Sequence, residues 1–82
     1  KVLDMMQKKT PEAHPFTRLS EREMEVLQLV SQGKTNAAIA EDLILSEKTI
    51  RNYISSIFLK LNVKNRVEAA IFAVQNRIQD YR

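Results

Sequence analysis

The sequence contains no cysteine, one glycine, two prolines and one histidine among its 82 residues. Without cysteine the chain forms neither disulfides nor thiolate metal sites, and it suits a reducing compartment, so we expect it in the cytoplasm. A single glycine leaves little material for β-turns or for a glycine-rich phosphate loop. No stretch approaches the roughly 18 apolar residues of a membrane-spanning helix. These absences favour a small all-α domain that packing alone must stabilise.

Hydrophobic residues make up 44% of the chain, an ordinary value for a globular domain, and the formal net charge is only +3. Because the chain begins with Lys1 rather than methionine, we expect it to be a piece of a longer protein. Both prolines fall within residues 11–15, which predicts a linker over residues 10–18 after the end of an upstream element over residues 1–9. The domain itself is then expected over residues 19–82.

Four helices are predicted from capping residues and from the spacing of apolar side chains, which together indicate a four-helix bundle. The residues predicted to cap the four helix starts are, in order, Ser20 with Glu23, Thr35, Ser46 and Asn65. Gly33 and Asn62 are predicted to end the first and third helices, because both tolerate a left-handed backbone. The fourth helix is predicted to continue to about Gln79.

The sequence lacks a catalytic pattern. His14, the sole histidine, lies between the two prolines, whereas a metal site needs several ligands at defined spacing. Three acids cluster at Glu21, Glu23 and Glu25, and helix capping with dipole complementarity explains them better than acid–base chemistry. We therefore expect no enzymatic activity, no cofactor and no metal.

Positive charge is concentrated in one part of the chain, where residues 48–66 contain five cations and no acid. The third helix has a complete apolar face, so its other face is expected to be exposed: Lys48, Arg51, Asn52, Ser55 and Leu59. Since arginine pairs bidentately with guanine and asparagine with adenine, Arg51 and Asn52 suit the reading of base edges in the major groove of double-stranded DNA. An ordinary solvated face is the alternative interpretation.

The third helix follows a short helix and a tight turn, which is the helix-turn-helix arrangement, although the turn around Ile44 and Leu45 contains no glycine. The starts of the second, third and fourth helices combine amides, hydroxyls and cations that suit phosphate groups. The residues concerned are Thr35, Ser46 with Lys48 and Thr49, and Asn65 with Arg66. Helix capping alone is the alternative for each of them.

The fourth helix is predicted to carry two apolar faces, of which one seals the core. The second face is a stripe formed by Val67, Ile71, Val74 and Ile78. A domain this small has little else to cover such a stripe, so we expect a homodimer in which the stripe contacts the same helix of a two-fold mate. Burial against residues 1–9 of the same chain is the alternative.

Residues 19–75 closely resemble the LuxR/NarL/GerE-type helix-turn-helix DNA-binding domain in the motifs SERE, GKTN, LSEKTIRNY and KLNVKNRVEAA. The resemblance implies a four-helix unit that inserts its third helix into the major groove and dimerises through its last helix. It also implies the output domain of a bacterial two-component response regulator. Residues 1–18 would then be the linker from a receiver domain, and a sensor kinase would be a partner of the longer protein.

Position by position, the resemblance assigns base reading to Arg51, Asn52 and Ser55. The residues that match positions holding the phosphate backbone are Lys48, Thr49, Tyr53, Lys60, Lys64, Asn65 and Arg66. Three positions depart from the family pattern: Ala38 replaces a frequent capping partner of Thr35, Leu59 a frequent lysine, and Asn62 a frequent glycine. The sequence thus predicts sequence-specific binding of a homodimer to two-fold related operator half-sites. A protein-binding helical module that uses the apolar stripe is the alternative.

Overall fold

The computed structural model describes residues 14–81, and the fold in this range is all-helical. Its four α-helices are α1 (Glu21–Ser31), α2 (Asn36–Leu43), α3 (Glu47–Leu61) and α4 (Arg66–Gln75). Short 3₁₀ turns precede and follow them at Pro15–Arg18 and Ile78–Asp80. The predicted all-α fold with four helices is confirmed. The interpretation of residues 1–9 as part of an upstream element lies outside the described residues.

Each α-helix begins with the side-chain cap that the sequence predicts. The Ser20 hydroxyl accepts a hydrogen bond from the amide of Glu23 at 3.1 Å, and the Glu23 carboxylate accepts one from the amide of Ser20 at 2.8 Å. The same bond to the amide three residues further on is made by Thr35, Ser46 and Asn65. These bonds satisfy amides that have no partner within the helix, so the helix starts are fixed locally.

Helices α2 and α3 both end in a residue with a left-handed backbone. Asn62 has φ 57° and ψ 44°, as the sequence predicts, and Ile44 has φ 58° and ψ 51°. In each case the next amide, Leu45 or Val63, bonds back to the carbonyl five residues earlier at 2.9 and 3.0 Å. Ile44 thus takes the conformation for which glycine is the usual residue, which explains how the turn forms without one.

The core lies where α1 packs against both α3 and α4, while α2 packs against α3. The side chains with almost no exposed surface come from all four helices and from the flanking turns: Phe16, Val26, Leu27, Ile39, Ile50, Ile57, Ala69, Ala73 and Ile78. The predicted apolar face of α3 is buried along its length, so the opposite face of this helix points away from the core.

The segment before α1 belongs to the packed unit. Phe16 is 1% exposed, and its ring lies edge-on to those of Phe72 and Tyr81 at 6.1 and 5.2 Å. The ring nitrogen Nδ1 of His14 accepts a hydrogen bond from the amide of Phe16 at 3.1 Å. The sequence assigned residues 10–18 to a linker, whereas an apolar ring at position 16 extends the core back through His14–Arg18.

Helix α4 is shorter than predicted and ends at Gln75 rather than near Gln79. Arg77 has φ 56°, which turns the chain, and Ile78 follows in a 3₁₀ turn with only 2% of its surface exposed. The prediction that Ile78 belongs to the exposed apolar stripe is wrong, because this turn carries its side chain into the core. None of the helices within residues 14–81 has the length and apolarity needed to cross a bilayer.

Candidate nucleic-acid interface

The outer face of α3 is open to solvent. Its exposed side chains are Lys48, Arg51, Asn52, Ser55 and Leu59. Positions 48, 52, 55 and 59 are spaced by three or four residues and therefore form one stripe along the helix, with Arg51 beside it. An α-helix presenting such a stripe fits the B-DNA major groove, which is roughly 12 Å wide.

Arg51 and Asn52 lie side by side on this face. Neither side chain makes a hydrogen bond or an ion pair with any residue in the range 14–81. Their donors and acceptors are therefore available to a ligand. Ser55, the third predicted base-reading residue, is exposed one turn further along the helix.

Helix α3 is presented by α2 through a short connection. Three residues, 44–46, separate the end of α2 from the start of α3. The Ser46 hydroxyl accepts a hydrogen bond from the amide of Thr49 at 3.1 Å and donates one to the Thr49 hydroxyl at 2.9 Å. Two packed helices joined by a three-residue turn are the helix-turn-helix geometry that the sequence predicts.

Glu23 connects α1 to α3 and is the buried charged residue of the described range, with 4% of its surface exposed. Its Oε1 accepts from the Lys60 ammonium at 2.8 Å, and its Oε2 accepts from the Ser56 hydroxyl at 2.6 Å. Burial alone would raise the pKa of Glu23, but the bonds from Lys60, Ser56 and the Ser20 amide, with the Lys60 charge, lower this pKa to about 2. The carboxylate is therefore ionised at neutral pH and holds α3 on α1.

Two residues predicted to hold phosphates are also engaged within the domain. Lys60 pairs with Glu23, although its side chain keeps 41% of its surface exposed. Arg66 donates from Nη1 to Oδ1 of Asn36 at 2.6 Å and from Nη2 to the Lys34 carbonyl. Glu23 lies 37 residues from Lys60 in the sequence, and Asn36 lies 30 residues from Arg66, so no local sequence pattern predicted these pairs. Phosphate contact by Lys60 and Arg66 stays a prediction.

The other predicted backbone-contact residues lie on α3 itself or at the starts of α2 and α4. Exposed members of this set are Thr35, Lys48, Lys64 and Asn65, whereas Thr49 and Tyr53 are half-buried. The side chains of Lys48 and Lys64 form no ion pair with any residue of the described range. The helix-turn-helix and the start of α4 thus provide two unpaired ammonium groups and three capped helix starts for phosphate contact.

Helix α4 carries an exposed apolar stripe made of Val67, Ile71 and Val74, of which 67%, 51% and 62% are exposed. Their spacing of four and three residues places them on one side of the helix. The opposite side of α4 supplies Ala69 and Ala73 to the core. The predicted division of this helix into a core face and an outer apolar face is therefore present, without Ile78.

The described range offers little for catalysis with a metal. Among residues 14–81, no three histidine, cysteine, aspartate or glutamate side chains come together in a way that would hold a metal ion.

A four-helix unit in which a three-residue turn joins α2 to α3, with the outer face of α3 exposed, is a helix-turn-helix domain. Residues 17–73 match the model of the family described as bacterial regulatory proteins, luxR family. The chain belongs to this family, which confirms the resemblance found in its motifs.

Several bacterial regulatory proteins are similar in sequence to most of this chain. Transcriptional regulatory protein LiaR of Bacillus subtilis (strain 168) is 38% identical over 78 residues, which are 95% of this chain and 37% of the relative. DesR, a transcriptional regulatory protein of the same organism, is 48% identical over 80% of this chain and 32% of the relative. The nitrate/nitrite response regulator protein NarP of Escherichia coli (strain K12) is 44% identical over 80% of this chain and 31% of the relative. The chain thus spans about a third of the length of these relatives.

Proposed function

We propose that this chain is the sequence-specific DNA-binding domain of a bacterial transcription regulator. The observation that carries the proposal is the exposed pair Arg51 and Asn52, which stand side by side on the outer face of α3 without a partner in the described range. Arg51 suits the O6 and N7 atoms of guanine, and Asn52 suits the N6 and N7 atoms of adenine. Ser55, with a hydroxyl that both donates and accepts, suits either kind of base.

The residues around α3 supply contacts to the phosphate backbone. Lys48 and Lys64 are exposed cations, and each phosphate that they neutralise releases counterions, so binding should weaken steeply with salt. The capped starts of α2, α3 and α4 add hydroxyl and amide groups through Thr35, Thr49 and Asn65, and Tyr53 adds a phenol at the edge of the outer face of α3. Lys60 has two further ammonium hydrogens beyond its bond to Glu23, while Arg66 acts chiefly by fixing the start of α2.

The domain binds two-fold related half-sites as a homodimer in this proposal. Val67, Ile71 and Val74 form an apolar surface that the domain itself does not cover, and a two-fold mate would cover it with the same residues. Two helices touching along three residues bury little area, so the isolated domain should associate weakly. DNA that holds both copies raises their effective concentration, which makes binding cooperative.

In the whole protein this domain would be the output of a two-component response regulator acting in the cytoplasm. Supporting this, one similar protein is named a response regulator, and this chain spans about a third of the relatives' length. The remaining length accommodates a receiver domain, whose phosphorylation by a sensor kinase would control the dimer.

A random DNA pool tests the proposal directly. The parent should enrich one half-site, and Arg51→Ala should enrich the same half-site with the preference lost at one base pair. The proposal is overturned if the parent enriches no sequence from the pool and if its retention on a polyanion column does not change with salt. The exposed stripe on α4 would then favour a protein-binding module.

A further inference from the structure

Leu59 is the most conspicuous feature of the outer face of α3 that base reading by Arg51 and Asn52 leaves unexplained. Its side chain is 84% exposed, although the residue lies within the helix and belongs to the same stripe as Asn52 and Ser55. At 100° per residue, Leu59 points only about 20° away from Asn52 around the helix axis, on the side toward Ser55. Leu59 therefore lies on the same side of α3 as the residues proposed to read bases.

The surroundings of Leu59 leave its apolar surface uncovered. The ammonium group of the next residue, Lys60, lies 2.8 Å from Oε1 of Glu23, on the side of α3 that faces α1. The apolar stripe on α4 is a separate surface, because α4 packs on α1, whereas α3 packs on both α1 and α2. Leu59 therefore contributes nothing to the core, and its apolar surface meets only water until a ligand covers it.

We propose that Leu59 contacts the C5-methyl group of a thymine and thereby extends the half-site beyond the bases read by Arg51 and Asn52. This inference rests on the proposed function. The thymine methyl is the apolar group that bases display in the major groove, so it matches an exposed leucine. Leu59 lies seven residues, or about 10 Å, along the helix from Asn52, which corresponds to roughly three base steps of 3.4 Å.

Replacing single thymines of the selected half-site by deoxyuridine tests the contact, because this exchange removes the methyl group and leaves the hydrogen-bonding groups in place. At one thymine, on the side of the half-site away from the base read by Asn52, the parent should lose about threefold to fivefold in affinity. Leu59→Ala should bind the thymine and deoxyuridine duplexes equally. Since the side chain is exposed, this variant should unfold at the same temperature as the parent.

Lys64→Ala serves as the matched control. It should weaken binding to both duplexes alike and keep the threefold to fivefold ratio of the parent. The inference is overturned if the selected half-site has no thymine at that end, if no deoxyuridine substitution weakens the parent, or if Leu59→Ala keeps the ratio. The proposed function has a separate test: it fails if the parent enriches no half-site from the random DNA pool.

Discussion

The ammonium group of Lys60 on α3 lies 2.8 Å from Oε1 of Glu23 on α1, and the Ser56 hydroxyl binds the other oxygen of the same carboxylate at 2.6 Å. Glu23 also completes the capping box of α1 through the amide of Ser20. One buried carboxylate thus fixes the start of α1 and the position of the proposed recognition helix.

This carboxylate makes the fold sensitive to acid. The pKa of Glu23 is lowered from 4.5 to about 2 in the folded domain, so its contribution to stability is fully present above pH 4.5 and is lost as the pH falls from 4.5 toward 2. The full contribution at pH 7 should be on the order of 3 kcal/mol, and the loss between pH 7 and pH 3 should be about 2 kcal/mol, because Glu23 is still mostly ionised in the folded domain at pH 3. Urea denaturation at pH 7 and at pH 3 measures it.

Glu23→Gln is the control for this prediction. It should be less stable than the parent at pH 7, because Lys60 loses its charged partner, and the difference between the two proteins should shrink at pH 3. A difference that stays constant between pH 7 and pH 3 would mean that other carboxylates carry the acid sensitivity.

Base reading and phosphate binding should respond to different substitutions. Arg51→Ala should cost about 1–3 kcal/mol on the selected half-site and relax the preference at one base pair. Lys64→Ala should weaken binding to every sequence and lower the slope of log affinity against log salt by about one. Fluorescence anisotropy on selected and scrambled duplexes at several salt concentrations separates the two. Equal losses on both duplexes for Arg51→Ala would remove it from base reading.

The two left-handed helix ends should respond in opposite directions to an exchange of their residues. Ile44→Asn should stabilise the domain by about 1 kcal/mol, because asparagine tolerates this conformation and the exposed isoleucine gives up no packing. Asn62→Ile should destabilise it by a similar amount. Thermal unfolding of both variants measures the effects. An unchanged midpoint for both would show that the left-handed backbone carries no strain here.

Dimerisation through α4 should depend on Ile71, which lies at the centre of the exposed stripe. In Ile71→Glu, two like charges would face each other across the two-fold axis, so cooperative binding to a full palindrome should fall by about an order of magnitude or more. Binding to a single half-site should hardly change, and helix content by circular dichroism should be preserved. Parent-like affinity of Ile71→Glu for the full palindrome would place the dimer contact elsewhere.

Ile78→Glu provides the contrast within the same region. Ile78 is 2% exposed, so a charge there should unfold the domain and abolish half-site binding as well. Selective loss of full-site binding by Ile78→Glu, with the fold intact, would restore the original assignment of Ile78 to the stripe.

Local chemistry made most of the helices predictable. Ser20, Thr35, Ser46 and Asn65 each bond to an amide three residues away, and such bonds depend only on nearby sequence. The exposed face of α3 followed from the same reasoning, since its apolar residues recur with the helical period.

Features that depend on distant contacts or on strain were not predictable. The ion pair between Lys60 and Glu23 was not predicted, because the two residues lie 37 positions apart in the sequence. The turn before α3 was predicted around Ile44 and Leu45, but the left-handed backbone of Ile44 was not, because glycine is the usual residue in that conformation. The end of α4 was placed too late, since Arg77 turns the chain at a residue that carries no turn signal.

The bond between Arg66 and the start of α2 has a consequence for operator architecture. Arg66 precedes Val67, the first residue of the apolar stripe, and its guanidinium holds Asn36 and the Lys34 carbonyl. In a dimer built on α4, neither half can swivel about its dimerisation helix without breaking these bonds. An added base pair between half-sites rotates one relative to the other by roughly 35°. Where the contact between the two α4 helices keeps its geometry, that rotation is taken up by twisting the DNA, so the regulator should discriminate operators by spacer length as well as by base sequence.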